Sequence, residues 1–199
     1  CSSDLMFLYK PSIIGGDNIK EIFAPYLGTR QRFEDLIWPL RLCATDIETG
    51  ELVDIKEGRL EDGFRASSSV PVVIAPVREG ERVLVDGGVV DPVPAELVRN
   101  MGADIVIAIN VVPQLKRGVE NSLTSFIRFI NTINPLNYIG KGLGLPNTLD
   151  ITMNSMQVLQ HELGNFKAIS ADVRINPDLS DFTWIEFNRS HELIDCGIE

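Results

Sequence analysis

Arg82-Val83-Leu84-Val85-Asp86-Gly87-Gly88-Val89-Val90-Asp91-Pro92-Val93-Pro94 opens the stretch that decides the fold. It runs on through Ala95–Met101 and Gly102 to Ile105-Val106-Ile107-Ala108-Ile109-Asn110-Val111-Val112. The β-branched residues before Asp86 predict a strand, and the glycines and prolines after it predict a loop. Ala95–Met101 carries no helix breaker and stops at Gly102, a residue suited to the left-handed position beyond a helix end. Ile105–Val112 is almost continuously apolar, which predicts a strand buried on both faces, central in a sheet with helices on either side. Strand, loop, helix and strand together predict a βαβ crossover of an open α/β sheet over Val83–Val112.

Working upstream, Val72–Val77 predicts a strand paired antiparallel with Arg82–Val85 across the Glu79-Gly80 turn. Leu60–Ala66 predicts a short helix that delivers the chain into a bend at Ser67-Ser68-Ser69-Val70-Pro71. Leu40–Thr45 and Leu52–Ile55 predict a hairpin, with Thr49-Gly50 as its turn signal. Ile19, Ile22, Phe23 and Tyr26 share one face of a helix over Asn18–Leu27, which Pro25 distorts or ends. Downstream, a helix places Leu123, Phe126, Ile127, Ile130 and Ile133 on one face, and Asn134–Asn147 reads as a loop. A second helix, Leu149–Leu163, is expected to turn Ile151, Val158, Leu159 and Leu163 inward, before a last strand at Asp172–Ile175.

With 199 residues, 44% of them hydrophobic, the chain can build the core of one ordinary domain, which excludes disordered and fibrous classes. Its formal charge of −10 repels phosphate backbones, so no nucleic acid is expected as a partner. The longest apolar run, Ile105–Val112, is far short of the roughly 20 residues that cross a bilayer. Cys1, Cys43 and Cys196 lie too far apart for a disulfide framework or a paired metal spacing, which favours a reducing, cytoplasmic setting and core filling by Cys43. The chain starts at Cys1 and stops at Glu199 within a helical pattern, and is expected to be a fragment of something longer.

Ligands of open α/β sheets bind beyond the carboxyl ends of the strands, and Asp86 stands at such an end. Gly87 and Gly88 let the backbone turn sharply and approach a neighbouring loop. Taken alone, Asp-Gly-Gly after a strand is most often a plain turn. A histidine-based triad finds little support, because His161 and His191 sit among polar helix neighbours and read as solvated. Metal ligation by Asp86, Asp91 and a histidine lacks any ligand spacing. Ser67, Ser68 and Ser69 lack the glycines of a nucleophile elbow and read as bend and backbone-capping residues near the site. Asp91, with Pro92 after it, reads as a loop or helix-entry residue, and Gly140-Lys141-Gly142-Leu143-Gly144 as a loop.

The surrounding text changes the weight given to Asp86. Arg65-Ala66-Ser67-Ser68-Ser69-Val70-Pro71, Ala75-Pro76-Val77, Val85-Asp86-Gly87-Gly88-Val89-Val90-Asp91-Pro92-Val93-Pro94 and Gly102-Ala103-Asp104 follow one another in order. They are flanked by Ala44-Thr45-Asp46 with Thr49-Gly50-Glu51, and by Ile175-Asn176-Pro177-Asp178-Leu179 with Glu192-Leu193-Ile194 and Gly197. This series resembles the patatin-like phospholipase family. The resemblance implies a three-layer α/β/α sandwich with a mostly parallel central sheet, of which residues 1–199 are the C-terminal portion of a single domain. It implies a Ser-Asp dyad, with Asp86 as the base, Gly87 and Gly88 completing its motif, and a glycine-rich oxyanion loop. No G-x-S-x-G elbow occurs in the chain, so the serine and the oxyanion loop are expected upstream of Cys1.

The activity so implied is hydrolysis of lipid acyl esters of the phospholipase A or lysophospholipase type, with no metal or organic cofactor. The implied partner is a lipid or phospholipid ester, met by peripheral membrane contact. Acyl transfer, or a non-catalytic lipid-binding or interaction domain, are the alternatives, and a secreted or surface-anchored passenger is the alternative to a cytoplasmic protein.

Overall fold

The computed structural model describes residues 23, 25–114, 148–182 and 189–198. The chain divides into two compact units, Cys1–Asp91 and Pro92–Glu199. The predicted helix around residues 123–133, the loop at 134–147 and most of the helix predicted over residues 18–27 lie outside the described residues. Of that last helix, Phe23 and residues 25–27 are helical, and the Phe23 ring stacks on Phe64 with centroids 4.4 Å apart.

In the first unit, β1 (Leu42–Asp46) and β2 (Leu52–Ile55) form the expected hairpin, paired Thr45 to Leu52 and Leu42 to Ile55. β3 (Val77–Glu79) and β4 (Arg82–Asp86) form a second, tighter one. β1 also pairs antiparallel with β4, Ala44 opposite Asp86, so the sheet order is β2-β1-β4-β3. Helix α1 (Leu60–Ser67) lays Ala66 against Ala44 and Leu84, with Val53, Ile55 and Val77 around them. Leu60 and Leu84 are wholly enclosed, and burial of such a side chain stabilises by about 1.5–3 kcal/mol.

One strand is shorter than its sequence suggests. Val72–Pro76 forms no ladder, because Val70–Ile74 closes into a turn in which the Val73 and Ile74 N–H groups both donate to Val70 O, at 3.1 and 2.9 Å. Only Val77–Glu79 finds partners in β4. The turn holds Val72 at φ 72°, a left-handed conformation that a β-branched residue rarely adopts.

The second unit begins with helix α2 (Ala95–Asn100), which ends where predicted, with Gly102 at φ +96°. β5 (Ile107–Ile109) pairs in parallel with β6 (Val173–Ile175), Ile107 opposite Val173. Val106 and Ala108 pack with Val93, Ala95 and Ala168 to make its core. Asp172 clamps this core from the side: its Oδ2 accepts from Val106 N at 2.8 Å and meets Arg99 Nη2 at 2.6 Å.

The α/β class is therefore as expected, but its sheets are mixed. Parallel pairing occurs between β5 and β6, whereas the four-stranded sheet is antiparallel throughout and β4 has β1 and β3 as neighbours. Among the described residues, the crossover read over Val83–Val112 thus joins strands of two different sheets.

Burial along Ile105–Val112 also departs from expectation. Val106 and Ala108 are 1% and 4% exposed, while Ile107 and Ile109 are 60% and 51% exposed. The run alternates as a strand covered on one face alternates, and its continuous apolarity misled because no described residue covers the other face.

Helix α3 (Thr148–Lys167) differs more. Ile151, Val158 and Leu159, expected inside, are exposed, and Leu163 is half-buried. The buried stripe is Met153, Gln157, Gly164 and Ala168, with His161 and Asn165 at its border. Hydrogen bonding explains the choice, since this stripe meets polar groups at the end of β5: Gln157 Nε2 donates to Pro113 O at 3.1 Å and His161 Nδ1 lies 3.0 Å from Val112 O. Leaving those carbonyls unmet in the interior costs about 1–3 kcal/mol each, enough to outweigh a Val or Leu turned outward. A last helix, α4 (Ser190–Cys196), ends at Gly197, earlier than the sequence pattern suggested.

Candidate active site

β4 ends at Asp86 because Gly87–Val89 winds into a single 3-10 turn, and Asp86 begins that turn as its cap. The Oδ1 atom of Asp86 accepts the Gly88 N–H at 2.7 Å. Three backbone-directed contacts fix the residue behind its carboxylate. Its N–H donates to Ser69 O at 3.0 Å, its C=O accepts from Thr45 Oγ1 at 2.9 Å, and its strand pairing sets it opposite Ala44.

Gly87 explains why the motif needs a glycine there. A Cβ added at this position would stand 2.5 Å from Cys43 O and 2.6 Å from Cys43 Cβ, so the turn lies directly on the β1 backbone. Any side chain would push the turn off β1 and carry Asp86 with it. Asp91 closes the same turn from the far side, buried, its N–H donating to Gly87 O at 2.9 Å. This corrects the helix-entry reading: α2 has Pro94 at its N-cap position and no side-chain cap.

The electrostatics of the turn follow from burial. Asp86 is pushed above the ordinary aspartate range, first by desolvation, with the Gly88 N–H pulling the other way. No ion pair to Asp86 occurs among the described residues, so its negative charge is stabilised by one N–H only. Cys43, beneath Gly87, is pushed up to about 11 by burial and then by the charges of Asp91, Asp54 and Asp86. It is a neutral thiol that fills space, as its apolar strand suggested, and no nucleophile.

The serines take the bend and capping roles expected of them. Ser69 is fully buried; its Oγ donates to Arg65 O at 2.7 Å and accepts from Arg65 Nη1 at 2.5 Å. Its carbonyl is what holds the Asp86 N–H. Ser68 is the residue that ends α1. Among the other candidates, His191 is exposed, but His161 is half-buried and hydrogen-bonded rather than solvated. Gly140–Gly144 lies outside the described residues.

Sequence reasoning missed Thr45 and Arg65 as supports of the site, and the left-handed backbone at Val72. A threonine in a strand and an arginine late in a helix carry no local sign of a partner 41 residues away or of a buried guanidinium. A valine at positive φ has no sequence signature at all.

Comparison with known proteins bears on this turn and what surrounds it. Residues 9–99, which include Asp86, Gly87 and Gly88, match the family model for patatin-like phospholipase. An NTE family protein of Mycobacterium tuberculosis is 35% identical over 95 residues, covering 48% of this chain and 25% of the relative. Further along, a lysophospholipase NTE1 of Debaryomyces hansenii is 26% identical over 166 residues, 81% of this chain and 11% of that protein. The human patatin-like phospholipase domain-containing protein 6 is 26% identical over 175 residues, 85% of this chain and 12% of its own length. The chain thus spans a quarter or less of the length of these relatives. With the motif turn, the serine bend and the hairpin all inside the matched residues, residues 9–99 match the patatin-like phospholipase family, and the chain is similar to the proteins named above over a longer stretch.

Proposed function

We propose that Asp86 is the general base of a Ser-Asp dyad in a lipid acyl hydrolase, and that the serine comes from polypeptide outside these 199 residues. The observation that carries this reading is the state of the Asp86 carboxylate: fixed at a strand end, half-buried, raised in proton affinity by desolvation and met by a single N–H among the described residues. A carboxylate in that state is a stronger base than one in water, and a raised pKa moves it toward the range where general bases work well.

In this mechanism the serine hydroxyl attacks the ester carbonyl as Asp86 takes its proton. The serine oxygen-to-carbon bond forms, the ester carbon-to-oxygen bond breaks, and Asp86 returns the proton to the departing alcohol. Water then attacks the acyl-serine, gives its proton to Asp86 and releases the fatty acid, after which the serine recovers its hydrogen. Donors for the oxyanion belong to the same external polypeptide. The two compact units form parts of one domain in this reading. The substrates are phospholipids or lysophospholipids, in keeping with the lysophospholipase name of the fungal relative.

The test uses the full-length protein and a short-chain ester alongside a lysophospholipid. Asp86→Ala and Asp86→Asn are expected to lose activity by about 10²-fold or more, the loss typical of a missing general base. Asp91→Asn, altered in the same turn, is expected to retain turnover while losing stability. Undiminished hydrolysis by both Asp86 variants would refute the assignment. A full-length protein that binds lipid without hydrolysing it would support a lipid-binding module instead, and transfer to an added alcohol would identify an acyltransferase.

A further inference from the structure

Beyond the turn at Asp86, the second unit contains a polar cavity of about 240 Å³ at the carboxyl ends of β5 and β6. Asn110, Gln114, His161, Asn165, Arg174 and Asn176 supply its polar lining. Two parallel strands ending side by side make the position in an α/β sheet where ligands bind.

One wall of this cavity is ordered by a closed ring of hydrogen bonds. Val112 N–H donates to Asn110 Oδ1 at 3.2 Å, which turns Asn110 Nδ2 toward Asn165 Oδ1 at 3.0 Å. Asn165 Nδ2 then donates to His161 Nε2 at 3.2 Å, and His161 Nδ1 donates to Val112 O at 3.0 Å. The two ends of the ring are the N–H and C=O of one residue, whose roles are invariant. Both amide orientations follow, and so does the His161 proton, held at Nδ1 with Nε2 as acceptor. Gly164 lets the helix close on this ring, since a Cβ there would lie 3.0 Å from the Asn110 amide.

The rest of the lining is unspent. Arg174, Asn176 and Gln114 stand exposed at its mouth and make no side-chain hydrogen bond or ion pair among the described residues. Among the described residues no carboxylate lines the cavity, in a chain whose formal charge is −10. A guanidinium left without a carboxylate, next to free amide donors, selects for an anion. The volume lies below the roughly 300–1,000 Å³ of sites for drug-sized ligands, so the ligand is small. The five N–H groups of Arg174 and the neighbouring amides outnumber the lone-pair sites of a carboxylate, whereas a tetrahedral phosphate offers more oxygens in more directions.

We propose that this cavity binds a phosphate group, carried by a small soluble phosphate ester or by a lipid headgroup, with Arg174 as its principal ligand. The site does not involve Asp86 and stands whether or not the acyl-hydrolase reading does.

Calorimetric titration of the full-length protein with inorganic phosphate, glycerol 3-phosphate and acetate tests it. Saturable binding of the two phosphates is expected, at least tenfold weaker in Arg174→Gln and in Asn176→Leu, and unchanged in Arg78→Gln, an exposed arginine of the other unit. Sedimentation with phosphatidic acid vesicles separates the sources. Binding to vesicles as well as to glycerol 3-phosphate assigns the headgroup, and binding to glycerol 3-phosphate alone assigns the soluble ester. The proposal is overturned if neither phosphate saturates, if Arg174→Gln binds as well as the parent, or if acetate binds equally tightly.

Discussion

The turn at Asp86 and the end of β5 at Asn110 are both places where a strand gives way to polar residues, and they treat those residues in opposite ways. Asn110 is buried with its amide engaged on both sides, in a ring that begins and ends on the backbone of Val112. The Asp86 carboxylate receives one N–H and no cation among the described residues. The first arrangement rigidifies a wall. The second leaves a half-buried carboxylate with little to offset its desolvation. On the proposed reading of Asp86, the contrast separates structural polarity from reactive polarity.

Variants can break or sharpen that contrast, and the largest effect is expected on the turn itself. Gly87→Ala places a methyl group against Cys43 O and Cβ, backbone and near-backbone atoms that cannot yield. We expect a loss of about 1–3 kcal/mol or more, read by chemical denaturation, together with loss of whatever activity depends on Asp86. A Gly87→Ala protein as stable as the parent would show that the turn does not lie on β1. Breaking the ring at Asn165→Leu should cost about 1–3 kcal/mol, because Asn110 Nδ2 and His161 Nε2 each lose a partner. That variant should leave ester hydrolysis intact if the ring is structural.

Smaller changes are expected elsewhere. Val72→Gly removes a left-handed β-branched residue, whose strain of about 1–2 kcal/mol is offset by the greater chain entropy of glycine, so the net stability should shift by under about 1 kcal/mol. Asp172 is held below the ordinary aspartate range, chiefly by the Val106 N–H and then by Arg99. Its contribution is present above the ordinary range and is lost as pH falls through the lowered value. Asp172→Asn should therefore lower the melting temperature slightly at neutral pH and not at all in strong acid.

Much of the first unit was legible because its signals are local. Thr49-Gly50 and Glu79-Gly80 mark two turns, and the short, largely apolar runs beside them suffice to specify a hairpin at each. Asp86-Gly87-Gly88 was singled out through its neighbours, and the structure adds the reason for a glycine at Gly87. The second unit was harder. Apolar periodicity named Ile151, Val158 and Leu159 as the inner face of α3, but the face that turns inward is the one able to reach Pro113 O and Val112 O. That requirement is written in the end of β5, more than 40 residues away, and nothing within the helix reveals it. Ile105–Val112 failed for a related reason, since a run of apolar residues records what a strand could bury and not which face is covered.

The central claim is that Asp86 is kept basic at the expense of stability, and one comparison tests both halves at once: the melting temperature and the rate of ester hydrolysis of the full-length Asp86→Asn variant, each followed from pH 4 to pH 8. Because folding raises the aspartate pKa, the parent should lose stability as pH climbs from the ordinary carboxyl range through the raised value, and on the proposed mechanism its hydrolytic rate should climb over the same interval. The account predicts that Asn at this position abolishes that climb in rate and matches or exceeds the parent's melting temperature at pH 7, an advantage that fades toward pH 4. A variant that hydrolyses the ester as fast as its parent, or that melts well below it at neutral pH, would contradict the account.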